Sequence, residues 1–158
     1  MKLRLVPILI SLLFVGGCAT RHTLEFRSSE EINIRETALL HELAFRDTNR
    51  VVFVSFSDSQ GHPFDPLSDF LQRLHAAGIP AREGSQSSMD SRGGVADKVT
   101  GESGVVYSAG IIRWISDSRV EVRRACHAGN LAGGATHFIM KKKGDKWQET
   151  KTTRQVIY

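Results

Sequence analysis

The stretch from Val105 to Tyr158 constrains the fold more than any other, because it reads as four consecutive strands joined by short turns. Val105-Val106-Tyr107 and Ile111-Ile112-Arg113-Trp114-Ile115 are rich in β-branched and aromatic residues, and Ser116-Asp117-Ser118 ends them with turn formers. Arg119-Val120-Glu121-Val122-Arg123 then resumes in strict alternation. Ala128-Gly129-Asn130 supplies the next break, and Leu131 to Lys142 the third strand, where Gly133-Gly134 predicts a bulge or bend. Lys143-Gly144-Asp145 turns the chain into Lys146-Trp147 and a Thr-rich last strand, Glu149 to Tyr158. Strands joined this tightly are antiparallel, and one face of such a meander needs cover.

Register in the first hairpin depends on the turn. A three-residue connection places Ile112 and Trp114 on the face of Val120 and Val122, whereas a two- or four-residue one places Ile111, Arg113 and Ile115 there. The first is expected, because it keeps Arg113 in water. Alternation also puts Arg124 on the face of Val120 and Val122. If that face is the core, Arg124 belongs in a pocket, at the end of the sheet or beyond a bulge, since an unpartnered buried charge costs several kcal/mol.

Upstream elements supply the cover. Ser28-Ser29-Glu30-Glu31 fits a capping box, opening a helix with Ile32, Leu39, Leu40 and Leu43 on one side and an end near Asp47-Thr48-Asn49. Val51 to Phe56 reads as a strand. Asp65-Pro66 predicts the start of a second helix with Leu67, Phe70, Leu71 and Leu74 as its apolar stripe, stopped by Gly78 and Pro80. From Gly84 to Gly104 no apolar periodicity is visible. A long, flexible surface loop is expected there.

The chain opens with Lys2 and Arg4, followed by an apolar run from Leu5 to Val15 that is too short to span a bilayer, where about 18 residues are needed. Those are the physics of a signal peptide over residues 1–17. Val15-Gly16-Gly17-Cys18 resembles the lipobox of bacterial lipoproteins. That resemblance implies cleavage before Cys18, acylation of its thiol, and residues 18–27 as a tether. Ala19 is not the aspartate that resembles an inner-membrane retention signal, so the implied destination is the periplasmic face of an outer membrane. Several acyl chains, at about 0.8 kcal/mol per buried CH2, would hold the protein on its bilayer.

Removal of residues 1–17 leaves 141 of the 158 residues, enough for one α+β domain over 28–158. Lys2 and Arg4 leave with the signal, so 19 basic residues face 17 acidic ones and the net charge falls from +4 to +2. The basic pI is therefore no argument for nucleic acid. Lys141-Lys142-Lys143, beside a turn, reads as a solvated strand end. With Cys18 acylated, Cys126 is a lone thiol, read as an unreactive strand residue.

Motifs for chemistry are missing. The histidines at 22, 41, 62, 75, 127 and 137 lack ligand spacing, and no HExxH, CxxC or GxSxG occurs, so neither metal nor cofactor is implied. Trp114, Arg124 and His137 form the candidate ligand pocket, with Arg124 as the anion contact. The order helix, strand, helix, loop and meander resembles the cystatin-like and NTF2-like class of small α+β domains. Trp114-Ile115-Ser116-Asp117-Ser118 and Lys143-Gly144-Asp145-Lys146-Trp147 are similar to hairpins of uncharacterised bacterial proteins. The resulting expectation is a non-enzymatic envelope lipoprotein that binds a protein partner or a small ligand through its concave sheet face. The resemblance also implies two alternatives, a small pocket enzyme of isomerase or dehydratase type and a cystatin-like inhibitor.

Overall fold

The computed structural model describes the backbone of residues 16–157 and the side chains of residues 29–157. The expected signal peptide, the Cys18 thiol and the side chains of the tether lie outside the described residues. The chain runs α1 (Gly16–Leu43), β1 (Val51–Ser57), β2 (Pro63–Phe64), α2 (Ser68–Ala76), β3 (Ala81–Glu83), β4 (Ser87–Met89), β5 (Val95–Asp97), β6 (Gly104–Ser116), β7 (Arg119–Gly129), β8 (Ala132–Lys143) and β9 (Lys146–Ile157). Seven strands form one sheet in the order β2-β1-β6-β7-β8-β9, with β3 also on β1.

The last four strands are the expected antiparallel meander. Each outer turn is two residues long, and Gly144 has φ 58°, the sign that the first central position of a type II′ turn requires. Neither simple register of the first hairpin occurs. Ser116 pairs with Arg119 and Trp114 with Val120, but a bulge between Ile111 and Arg113 brings Ile111 opposite Val122. The extra residue, Ile112, reverses alternation once. Trp114 and Ile111 therefore both reach the helix side, and Arg113 stays in water. The bulge expected at Gly133-Gly134 lies on the facing strand, between His127 and Gly129.

β1 joins β6 in parallel, from Val51 opposite Gly104 to Ser57 opposite Gly110. β1 has helices over one face and the β3 and β4–β5 segment over the other and is buried on both, which is why Val51 to Phe56 is a continuous apolar run. Val52, Val54 and Phe56 share one core with Val105, Tyr107, Ile111, Val120, Val122, Phe138, Met140 and Trp147, under α1 and α2.

α1 begins upstream of Ser28, since no Gly or Pro interrupts residues 18–43, and it ends at Leu43, before Asp47. Among its described residues the buried apolar ones are Ile34, Ala38, Leu39 and Leu43, with Arg35 buried beside them, whereas Leu40 faces solvent. Glu31, expected to close a capping box, instead accepts bonds from Arg35 Nη1 and Trp114 Nε1, both at 3.3 Å. α2 starts three residues beyond Asp65, whose Oδ1 accepts the Ser85 amide at 2.9 Å. Its end is as expected. Gly78 (φ 76°) donates to His75 O and Ile79 to Leu74 O, a Schellman closure sealed by buried Ile79 on Leu74.

Residues 84–104, expected as a featureless loop, hold a 3-10 turn and the β4–β5 hairpin. Arg82 pairs with Phe53 and so shares its face, away from the helices; its guanidinium reaches Asp97 of β5 at 2.6 Å. That contact sets the hairpin behind the sheet. Its tip is fixed by glycine: Gly94 bridges to Gly129, and Gly93 O accepts the Asn130 amide at 2.9 Å. A Cβ on Gly129 would meet Gly93 O at 2.8 Å, so Gly93-Gly94 serves close backbone approach here.

Candidate functional site

Trp114, Arg124 and His137 do not meet. Trp114 lies at the hairpin end of the helix side, edge-on to Trp147 with ring centroids 5.7 Å apart. Arg124 sits four residues along β7 from Val120, the partner of Trp114, or about 13 Å at strand rise. His137 pairs with Arg123 and thus points to the opposite face from Arg124. Period-two alternation separates them, and no single pocket can use all three.

Arg124 is buried in mid-sheet rather than at its end. Its Nε lies 2.7 Å from Glu42 Oε2 of α1, and its Nη1 donates to Glu149 Oε2 of β9 at 3.0 Å. The guanidinium stands over the Phe138 ring, 4.7 Å from the centroid. The Glu42 contact is an ion pair without hydrogen-bond alignment, since Nε has no acceptor in line. Two carboxylates from elements distant in sequence thus neutralise the buried cation, and an outside anion would have to displace one of them. The triad tethers the end of α1 to the meander.

A cleft of about 240 Å³ adjoins this triad, lined by Glu42, Arg124, Cys126, Gly134, Thr136 and Gln155. Burial pushes the Cys126 thiol up, and the Glu42 charge adds to it. The thiol is protonated and poorly nucleophilic as a result. Tyr107, its cross-strand partner, is likewise raised by burial.

A larger cleft, about 590 Å³, is lined by residues including Arg50, His75, Arg82, Glu102 and Ser103. Its charges are matched locally. Arg50 lies 3.5 Å from Asp47, Arg82 binds Asp97 and Glu102, and His75 Nε2 is 2.7 Å from Ala81 O. Asp97 accepts the amides of Val99 and Thr100 as well as Arg82; these bonds hold its pKa down from 3.8 to about 2. Among the described residues no group of three His, Cys, Asp or Glu could hold a metal ion.

The open sheet face is different in kind. On the side away from α1, cross-strand pairing puts Arg119 beside Lys141, Ile139 beside Lys151, and Arg123 beside His137 beside Arg154. The cations are exposed. The acid on the same face, Glu121, is held by Arg113 Nε at 2.7 Å and Thr153 Oγ1 at 3.2 Å, and the Arg113 bond lowers its pKa. Among the described residues, Arg119, Arg123, Lys141, Lys151 and Arg154 have no acidic partner within ion-pair distance. Like charges set directly opposite destabilise a sheet. The alternation of Arg119, Glu121 and Arg123 against Val120 and Val122 was the available signal for this face. Bulges between His137 and Phe138 and between Ile139 and Met140 hid how Lys151 and Arg154 line up with it.

Fold and surface together define a small α+β domain with one sheet face covered by helices and the other covered in part by the β4–β5 hairpin, the remainder, on β7, β8 and β9, being open and basic. Comparison of the chain with protein-family models, curated proteins and solved structures finds no match in any of the three. No helix among the described residues is long and apolar enough to cross a membrane.

Proposed function

We propose that this chain is a cell-envelope lipoprotein, held by an acylated Cys18, whose domain is a non-enzymatic binding module. The surface that binds is the part of the second face that the β4–β5 hairpin leaves open, because α1 and α2 already occupy the first. The observation that carries the reading is the gathering of exposed cations on one face, Arg119 directly opposite Lys141, with Arg123, Lys151 and Arg154 on the same three strands; this crowding costs the free domain stability and is relieved by an anionic partner. Lys2, Arg4, the run from Leu5 to Val15 and Val15-Gly16-Gly17-Cys18 support the anchor, on the periplasmic side of an outer membrane. A long helix laid across an antiparallel meander supports the cystatin-like or NTF2-like architecture; the parallel β1–β6 pair departs from a purely antiparallel sheet.

Intact mass and membrane fractionation of the native protein, beside Cys18→Ser, test the anchor. A lipid-sized mass increment and membrane retention, both lost in Cys18→Ser, are expected. For the binding role, salt-dependent retention on immobilised heparin that weakens in Arg123→Gln/Arg154→Gln is expected. A protein that runs through at low salt would remove the support of the open face.

A further inference from the structure

We infer that the partner of the open sheet face is the anionic headgroup plane of a lipid bilayer, so that the domain lies down on a membrane rather than standing off it. The inference rests on the anchored-module reading above and names its ligand. Three observations carry it.

The first is the shape of the charge. Arg119 and Arg123 lie about 13 Å apart along β7, with Glu121 between them already held by Arg113, and Lys141, Lys151 and Arg154 carry the charge across the next two strands, about 5 Å apart, so the five cations are spread in two dimensions over one face. A plane of headgroups meets all five cations at once. A nucleic-acid strand binds a basic track with aromatic side chains for base stacking. The paired rows of this face carry no Phe, Tyr or Trp; Trp114 and Trp147 pack on the other side.

The second is where the chain joins the domain. Glu30 pairs with Lys142, and Glu31 accepts from Trp114 Nε1. The first described side chains of α1 therefore sit at the end of the sheet where the β6–β7 and β8–β9 turns lie. A chain entering from that end brings the same end to the bilayer, and residues 18–27, which continue α1, add about 15 Å at helical rise.

The third is apolar and local. Ile115, beside the β6–β7 turn, is 42 % exposed, and Lys143 pairs with Lys146 across the β8–β9 turn. An exposed apolar side chain at the same end of the sheet as a lysine pair is the composition of an interfacial contact. The turn acids Asp117 and Asp145 sit at this end too, so the broad face contributes more than the tip.

The test uses the mature chain from residue 18 carrying Cys18→Ser, so that binding is read without acylation. Its partition onto phosphatidylcholine vesicles is compared with that onto vesicles containing phosphatidylglycerol, at low and physiological salt. Each basic residue near an anionic leaflet contributes roughly a five-fold factor. Arg123→Gln/Lys151→Gln/Arg154→Gln should therefore weaken binding to the anionic vesicles by about 100-fold. The charge-matched Arg46→Gln/Arg50→Gln/Arg73→Gln, just past the end of α1, before β1 and in α2, should change it by less than about three-fold, with both variants checked for native near-UV circular dichroism.

Equal binding to the two vesicle types, equal losses in the two triple variants, or tighter binding to duplex DNA than to vesicles at matched salt would each overturn the inference. The anchor is read separately from the lipid mass on native protein. A native protein without lipid whose mature chain still selects anionic vesicles would remove the anchor and leave the face. A lipidated protein whose face ignores headgroup charge would do the reverse.

Discussion

Replacing Arg124 by alanine is the sharpest perturbation of this fold. The guanidinium is 7 % exposed, lies between Glu42 and Glu149, and covers the Phe138 ring. Its loss strands two carboxylates beside each other and opens space over the ring. Breaking a buried ion pair from one side costs about 3–5 kcal/mol. Both glutamates keep 28 % of their side-chain surface and can rehydrate in part, so the lower part of that range applies, about 3 kcal/mol. For a domain of this size 1 kcal/mol moves Tm by about 2–4 °C, which places Arg124→Ala about 6–12 °C below wild type. Glu149→Gln, which leaves the Glu42 contact and a neutral acceptor, should cost about 1 kcal/mol. Urea unfolding followed by near-UV circular dichroism reads both, with the m-value unchanged if the folded state is otherwise intact. The triple replacement Glu42→Gln/Arg124→Met/Glu149→Gln should recover most of the loss, because an apolar substitute removes the desolvation cost of all three charges. An Arg124→Ala cost below about 1 kcal/mol would refute the argument that the triad ties α1 to the meander.

Three further outcomes are expected. Gly129→Val drives a side chain into Gly93 O, which even a Cβ alone would meet at 2.8 Å, and should cost about 1–3 kcal/mol while raising hydrogen exchange across Ser87–Asp97; unchanged exchange there would mean that the hairpin tip is not held by this contact. A carboxylate whose pKa falls from 3.8 to about 2 on folding contributes stability that is complete above pH 3.8 and is lost as pH falls through about 2; Asp97→Asn should therefore flatten the stability profile between those values, and an unaltered acid limb would assign it to other carboxylates. Trp147 is buried with no acceptor for its indole N–H among the described residues, so Trp147→Phe should cost less than about 1.5 kcal/mol, whereas Trp147→Ala should cost about 3–5 kcal/mol; near-equal losses in a thermal melt would mean that the ring volume is not what packs.

Several local features were legible because their causes lie within a few residues. Gly144 needs no partner strand to favour its turn, and Gly78 with Ile79 closes α2 through bonds to Leu74 and His75 in the same helix. Asp65-Pro66 looked equally local but misled. Asp65 found the Ser85 amide, and a capping side chain goes to whichever donor the tertiary fold supplies. Gly93-Gly94 misled for a related reason: glycine allows motion and also allows two backbones to touch, and only the position of Gly129 distinguishes these. The candidate site fared worst. Trp114, Arg124 and His137 were grouped by residue type, but neither their faces nor the carboxylates at Glu42 and Glu149 can be read from neighbouring positions.

Local sequence is enough to specify that the last third is an antiparallel meander, that Val51 to Phe56 is a strand, and that Arg119 and Arg123 point away from Val120 and Val122. These follow from side-chain periodicity and turn chemistry, which act over a few residues. Long-range packing settles the rest: that β1 pairs in parallel with β6 across an intervening stretch of 46 residues, that Ile112 bulges so Ile111 and Trp114 share a face, and that Arg124 is neutralised from two directions. Pairing partners, bulges and buried charge balance depend on contacts between segments far apart in the chain, where each side's preference is weak until the other is in place.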